Sequence, residues 1–448
     1  MSDSDPKTFY LPRFDSNTLK SVLTGPLPNR EYVFADYTIA PKQGISLPEA
    51  IARAAIVASC RSQRAYHHES QPEWLNRAAK VTKYSHDGFA QIAYPAEMFG
   101  EREGVSKLLA VLTCGGEHDF VDQFWLHEFT LPPTVLVRFG GPQFGIDGIR
   151  GKLGKSTGPI IGVTVRPLCD PKRYNDELIH YKAALRGGAD YLTDDILFSD
   201  NQDEWEIETR ARRLVHLCRE MTEETGHPKS YVVNLAVDEG QLPAITTLLH
   251  EIGVAIVKVN AFFSGFGTLL SLRTSSKMPL IATNIGVSLL TRPADTAEKR
   301  LGTGVSEAVI SKLSRLCGAD GVHLGSIDTG SFVVQSYDPA ILALASSLGS
   351  LKPSIAVLGD NVNVGNLWQN LRNFGRDVMI ESSSGIMSYP SGPEKGAAVF
   401  KELATRLADV DDPGLAHEVL VARAKNDSHL MAELEASGYR EVQSRMES

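Results

Sequence analysis

Between Ile160 and Ala408 the chain repeats one phrase eight times: a short apolar run ending in polar residues, then a helix-length amphipathic segment. Eight strand-then-helix units in succession predict a closed parallel (β/α)8 ring, a TIM barrel. The strands are expected at IIGVTVRP (160–167), ADYLTDDI (189–196), SYVVNLAV (230–237), VAIVKVNAF (254–262), PLIATNI (279–285), DGVHLG (320–325), SIAVLGD (354–360) and DVMIES (377–382). Gly187-Gly188, Gly253, Gly318 and Gly375 stand where a helix must stop and reverse into the next strand. A doubly wound open sheet is the alternative that the same alternation allows.

The first third lacks this strict alternation. YVFADYTIA (32–40) and GFAQIAYPA (88–96) read as strands, while LPEAIARAAIVAS from Leu47 and VSKLLAVLT from Val105 read as helices, so a small α+β domain is expected. The Gly- and Pro-rich FGGPQFGIDGIRGKLGK (139–155) reads as a linker, with the boundary near Gly151. Residues 1–150 and 151–448 are therefore assigned to an N-terminal α+β domain and to the barrel with a C-terminal helical tail. A length of 448 residues suits two domains.

Charge and cysteines narrow the function. A net charge of -9 argues against a general nucleic-acid or anionic-membrane binder, since either needs a basic face. Five scattered cysteines without a C-x-x-C pair fit reduced thiols in a cytosol. MSDSDPKTFY does not resemble a signal peptide, and no run approaches the roughly 18–20 apolar residues that span a bilayer. A cytoplasmic protein is the expectation.

In a TIM barrel the chemistry sits just past the C-terminal ends of the strands. The first strand delivers Thr164 and Arg166, the latter a clamp for carboxylate or phosphate, or else a salt-bridge partner for nearby acids. The second ends Thr193-Asp194-Asp195; Asp195 could ligate a divalent cation, act as a base or hold Arg166. Asn234 and Asn284, on the third and fifth, suit the orientation of hydroxyls or carbonyls. Lys258, on the fourth beside Asn260, would be a Schiff-base or general-base candidate if it pointed inward. The outward, solvated orientation is the expectation. His323 ends the sixth strand and is the leading proton-transfer candidate, with a hydrogen-bonded structural histidine as the alternative. The eighth runs into Glu381-Ser382-Ser383-Ser384-Gly385, a turn whose N–H groups and hydroxyls could surround an anion, next to Gly359-Asp360-Asn361 after the seventh. A flexible hinge is the other reading of that turn.

The order and spacing of G-x-T-V-R-P (162–167), R-G-G-A-D-Y-L-T-D-D (186–195), N-L-A (234–236), D-G-V-H-L-G (320–325) and the last turn resemble the large subunit of ribulose-bisphosphate carboxylase/oxygenase. EYVFADYTIAP, QIAYPAEMF and FGGPQFGI are similar to that family as well, so the resemblance runs from about Glu31 to about Leu407. It implies an N-terminal α+β domain of ferredoxin-like type, a C-terminal barrel, and a homodimer whose active sites are shared between subunits. It also implies a magnesium site at the end of the second strand, built from a carbamylated lysine, an aspartate and a glutamate.

Those three positions hold Thr193, Asp195 and Ile196. A hydroxyl and an aliphatic side chain do not replace two hard anionic ligands. The family's two lysine positions on the first strand hold Arg166 and Leu168, and its histidine and arginine on the fifth hold Asn284 and Ile285. Its serine on the seventh is Gly359, and the mobile loop after the sixth reads Ser326-Ile327-Asp328-Thr329-Gly330, without a lysine. The glutamate and asparagine that reach the partner's site appear as Ala58 and Cys114. Asn234, His323, Asp195 and the small-residue turn are retained.

The chain is thereby identified as a divergent member of the RuBisCO-like, non-carboxylating (form IV) branch. The expected function is proton transfer or enolisation, of isomerase or lyase type, on a small anionic sugar-like ketone or polyol. His323 would move the proton with Asp195 assisting, and Arg166 and Asn284 would stabilise an enediolate. Thr164, Asn234, Gly359, Ser383, Ser384 and Gly385 would bind the substrate. No cofactor is expected; magnesium, if bound, would have only Asp195. The alternative is a catalytically inactive small-anion-binding or regulatory protein.

Overall fold

A computed structural model of the chain describes residues 16–60, 70–100, 103–166, 174–195, 206–292, 302–327, 338–359, 361–425 and 427–436. Pro167, Leu168, Ile196, Asp328, Thr329, Gly330 and Asp360 lie outside the described residues. Two compact units emerge: Met1–Phe139 with Val287–Leu313, and Gly140–Gly286 with Ser314–Ser448.

The first unit holds β1 (Tyr32–Pro41), β2 (Lys80–Tyr84), β3 (Phe89–Pro95) and β4 (Val121–Thr130). These strands pair antiparallel in the order β4-β1-β3-β2, with helices Leu47–Cys60 and Val105–Thr113 inserted after β1 and β3. That is the βαββαβ arrangement of a ferredoxin-like sheet. Small residues on the first helix, among them Ala50, Ala54 and Ala55, are fully or almost fully buried, which lets it lie close against its neighbours.

The second unit is the barrel. Its strands are β5 (Ile160–Val165), β6 (Tyr191–Asp194), β7 (Ser230–Leu235), β8 (Ile256–Val259) and β9 (Leu280–Ala282). After β9 the chain leaves for β10 (Thr303–Val305), which adds to the first unit's sheet parallel to β4. It then returns for β11 (Gly321–Leu324), β12 (Ile355–Leu358) and β13 (Val378–Glu381). All eight barrel strands are parallel, and β13 pairs with β5 to close the ring, so the open-sheet alternative is set aside. Gly253, Gly318 and Gly375 have positive φ at helix ends, as their spacing predicts.

Barrel strands are buried on both faces and so read as nearly continuous apolar runs. Inside the ring, Ile160, Tyr191, Val232, Ile256, Ile281, Ile355, Val357 and Met379 form one fully buried cluster. Its lower end is stoppered by Ile149 and Leu153. These come from helix Gly145–Leu153, within the segment that the sequence reads as a linker. The glycines there hide a helical face made by Ile146, Ile149 and Leu153. The Asp320 carboxylate fixes the start of this helix, accepting from the Phe144 and Gly145 N–H groups at 2.6 Å each and from Leu280 N–H at 2.9 Å. Helices Pro393–Leu407, Pro413–Ala424 and Ser428–Ala436 follow the last strand.

Candidate active site at the barrel mouth

The apolar cluster sets the parity of every strand, because alternate residues share a face. Two positions beyond it, the inward face carries Thr193, Asn234, Lys258, Thr283, His323 and Glu381. A polar layer thus lies directly above an apolar one, and over it opens a cavity of about 310 Å³. Thr164, Arg166, Asp195, Asn234, Asn284, His323, Gly359, Ser383 and Ser384, all singled out by their strand-end positions, line it.

Lys258 points inward, contrary to the expectation of a solvated tail. Its side chain is 3% exposed, and Nζ lies 2.5 and 2.6 Å from the two carboxylate oxygens of Glu381. In the ring β8 and β13 are four strands apart, so the pair spans the barrel from one wall to the other. The reason is register: Ile256 is committed to the apolar core, which turns residue 258 to the same side. Glu381 also accepts from the Tyr191 hydroxyl at 2.9 Å, and its Oε2 lies 3.5 Å from His323 Nε2. Burial alone would push the Glu381 carboxyl up, yet the Lys258 ammonium and the His323 ring hold it down at about 2. Gly162 makes room for this arrangement, since a Cβ there would meet the Tyr191 ring at 2.2 Å.

His323 Nδ1 lies 2.8 Å from Asn284 Oδ1, joining two residues that the sequence names separately. An Asn284 oxygen in this position can only accept, so the contact calls for the hydrogen on Nδ1, while Nε2 lies on the Glu381 side of the ring. Gly359 lies against this ring: a Cβ at 359 would come within 2.6 Å of His323 Cε1 and Nε2. A side chain at 359 would therefore push the ring out of this seat. Asn361, also on the lining, has φ of 66°.

On the other wall Arg166 is 66% exposed in its side chain and reaches Asp195 at 3.8 Å, a weak pair in solvent. The Ser383 hydroxyl makes a 3.5 Å contact to Thr164 O. Gly385 lies beneath the lining, where the Ser382 hydroxyl and Val362 O would meet a Cβ at 2.7 and 3.0 Å; its place in the fold is a packing one. Asn260 faces the loop after β9, donating to Ile285 O at 2.8 Å and accepting from the Phe262 and Phe263 N–H groups.

The residues that would hold magnesium do not fit it. Thr193 is fully buried, and its hydroxyl has no hydrogen-bond partner among the described residues. Asp194 is turned to the outer face, 3.1 Å from Arg210 and 2.6 Å from the Tyr231 hydroxyl, where burial raises its pKa despite both partners. Among the described residues no three His, Cys, Asp or Glu side chains come together as a metal cage. Three more buried polar atoms of lining residues, Asp194 Oδ1, Asn234 Oδ1 and Thr283 Oγ1, also lack a partner among the described residues.

Sequence reasoning named Glu381 only as the start of a turn and passed over Thr283. The available signal was parity: Met379 and Glu381 alternate on β13, as do Ile281 and Thr283 around β9.

The family model for the ribulose bisphosphate carboxylase large chain, catalytic domain, matches residues 145–435, more than half of the chain. A curated relative, ribulose bisphosphate carboxylase of Archaeoglobus fulgidus, is 25% identical, covering 84% of this chain and 89% of its own. The dimeric archaeal Rubisco from Hyperthermus butylicus superposes with a TM-score of 0.77 at 23% identity, over 94% of this chain and 100% of its own. A rubisco-like protein (MtnW) from Alicyclobacillus acidocaldarius does so at 0.73 and 20% identity, over 90% of this chain and 99% of its own. Family model, relative and fold agree that the chain belongs to the ribulose bisphosphate carboxylase large-chain family.

Proposed function

We propose that this protein is a non-carboxylating member of its family, an enzyme that binds a small anionic sugar-like ketone or polyol and transfers a proton on it without a divalent metal. The observation that carries the reading is the polar layer itself. His323, oriented by Asn284, sits above a buried Lys258–Glu381 pair at one cavity, while a threonine hydroxyl stands where carbamate chemistry requires an amine. A threonine cannot form a carbamate.

In this reading Arg166, Ser383 and Ser384 receive the anionic group, and His323 Nε2 exchanges the proton beside the carbonyl. Preorganised donors of this kind contribute several kcal/mol to stabilising a developing oxyanion. Two copies would associate as the Hyperthermus butylicus protein does, and sedimentation should show a dimer. A cytosolic setting accords with four free cysteines among the described residues. No described helix is long and apolar enough to cross a membrane.

The test is a thermal-shift panel of sugar phosphates and sugar acids, followed by NMR in D2O for deuterium entering the bound compound. Stabilisation that Ser384→Asp removes, with exchange that His323→Asn removes, is the expected result. Binding without exchange would leave a small-anion-binding protein. Magnesium with bicarbonate should produce no carboxylation of ribulose bisphosphate; a clear rise would overturn the reading of Thr193.

A further inference from the structure

The metal-bearing corner of this barrel does not fit its ion, yet the barrel contains a buried cation elsewhere. We propose that the Lys258 ammonium takes the ion's place as the ligand-binding charge, holding the oxyanion or carbonyl oxygen of a small α-hydroxy acid or α-hydroxy ketone. The inference rests on the reading of the barrel mouth as a small-anion site, and it names the group that this site recognises.

Three observations carry it. Lys258 lines the cavity, but at 2% exposure it is out of contact with bulk water, so its charge must be met by fixed groups. Glu381 meets it with two oxygens, and an ammonium has three donors, leaving one for a ligand. Glu381 is independently anchored by Tyr191. It therefore keeps its place while Lys258 engages a second acceptor.

The neighbouring strands supply the rest of the recognition. Asn234 is the register partner of Lys258 across β7 and β8, and its Oδ1 is a buried acceptor with no donor among the described residues. On the other flank Thr283 Oγ1 is equally unpartnered, as is Thr193 Oγ1 on β6. Buried polar atoms left unpaired call for a ligand or an ordered water. A cationic donor beside an empty acceptor matches a molecule that places an oxyanion or carbonyl oxygen next to a hydroxyl. A bare carboxylate would leave Asn234 unpaired.

Glycolate and D- or L-glycerate, with propionate as the hydroxyl-free control, are the probes, measured by thermal shift and calorimetry in EDTA and again in magnesium. Expected are a rise in Tm with the hydroxy acids, none with propionate, and no change on adding EDTA. Lys258→Met alone could unfold the chain by stranding a buried carboxylate, so the paired variant Lys258→Met with Glu381→Gln is the main test. Circular dichroism should show it folded, and its glycerate response should be lost. Asn234→Ala should weaken glycerate at least fivefold. Undiminished binding in the paired variant, a requirement for magnesium, or equal affinity for propionate overturns the proposal. If glycerol 3-phosphate stabilises the protein and no hydroxy acid does, this inference falls while the small-anion reading stands; if neither binds, both fall.

Discussion

At the lower end of the barrel, just before β6, Asp190 is met on every side: Ile161 N–H at 2.8 Å, Lys155 at 2.9 Å and Lys401 at 2.6 Å. Three residues later, at the upper end of the same strand, Thr193 is equally buried and has no partner among the described residues. The contrast recurs around the ring. Asp320 below takes three backbone N–H groups, whereas Thr283 and Asn234 above leave polar atoms unpaired. Unpaired buried groups cost about 1–3 kcal/mol each, so a fold keeps them only where something else completes them. The lower end holds the barrel together, whereas the upper end, on the function proposed above, is arranged for an incoming molecule.

The Lys258–Glu381 pair is the place to break that contrast first, because it belongs to both roles. Lys258→Met should lower unfolding free energy by about 3–5 kcal/mol in a urea titration, since it leaves a buried carboxylate without its cation. Adding Glu381→Gln should return most of the loss. A mild single-variant effect would mean that the pair is wetter than its burial indicates.

Asp320→Ala comes next, at about 3 kcal/mol from three orphaned N–H groups, with ligand affinity unchanged. Weakened ligand binding in a folded Asp320→Ala protein would dissolve the division between the two ends.

Acid sharpens the comparison further. With its folded pKa depressed from 4.5 to about 2, Glu381 stays ionised in the folded state where the unfolded chain has taken up a proton. Its stabilisation is therefore whole above about pH 4.5 and drains away as the pH falls toward 2, worth ~3 kcal/mol. Stability measured between those limits should fall less steeply in the Lys258→Met, Glu381→Gln protein. Thr283→Val is the smallest effect and opposite in sign: a gain of up to about 1 kcal/mol, with weaker ligand binding, because an unpaired hydroxyl is removed. A loss as large as that of Asp320→Ala would show that the hydroxyl is already satisfied.

The ring was legible because its strands are bounded apolar runs with glycines at the helix ends, and because strand ends are where polar residues interrupt such runs. His323, Asn284, Arg166 and the serine turn could be named on that basis alone. Lys258 could not be oriented, since V-A-I-V-K-V is apolar on both sides of the lysine and gives no parity until Ile256 is seen in the core. Glu381 was obscured by the serines behind it. Helix Gly145–Leu153 escaped because its glycines outweigh its three-residue apolar face. β10 is only three residues long, and its place depends on β4, far away in sequence.

That short strand has a bearing on how the protein is made. A growing polypeptide emerging from the ribosome completes β1 to β4 early, but their sheet lacks its last member until β5 to β9 have also been synthesised. Through that interval the outer edge of β4 presents unsatisfied peptide groups, the kind of surface on which nascent chains stick to one another. A fragment ending at Phe139 should inherit the same weakness permanently and be prone to clumping, whereas the full-length chain outgrows it.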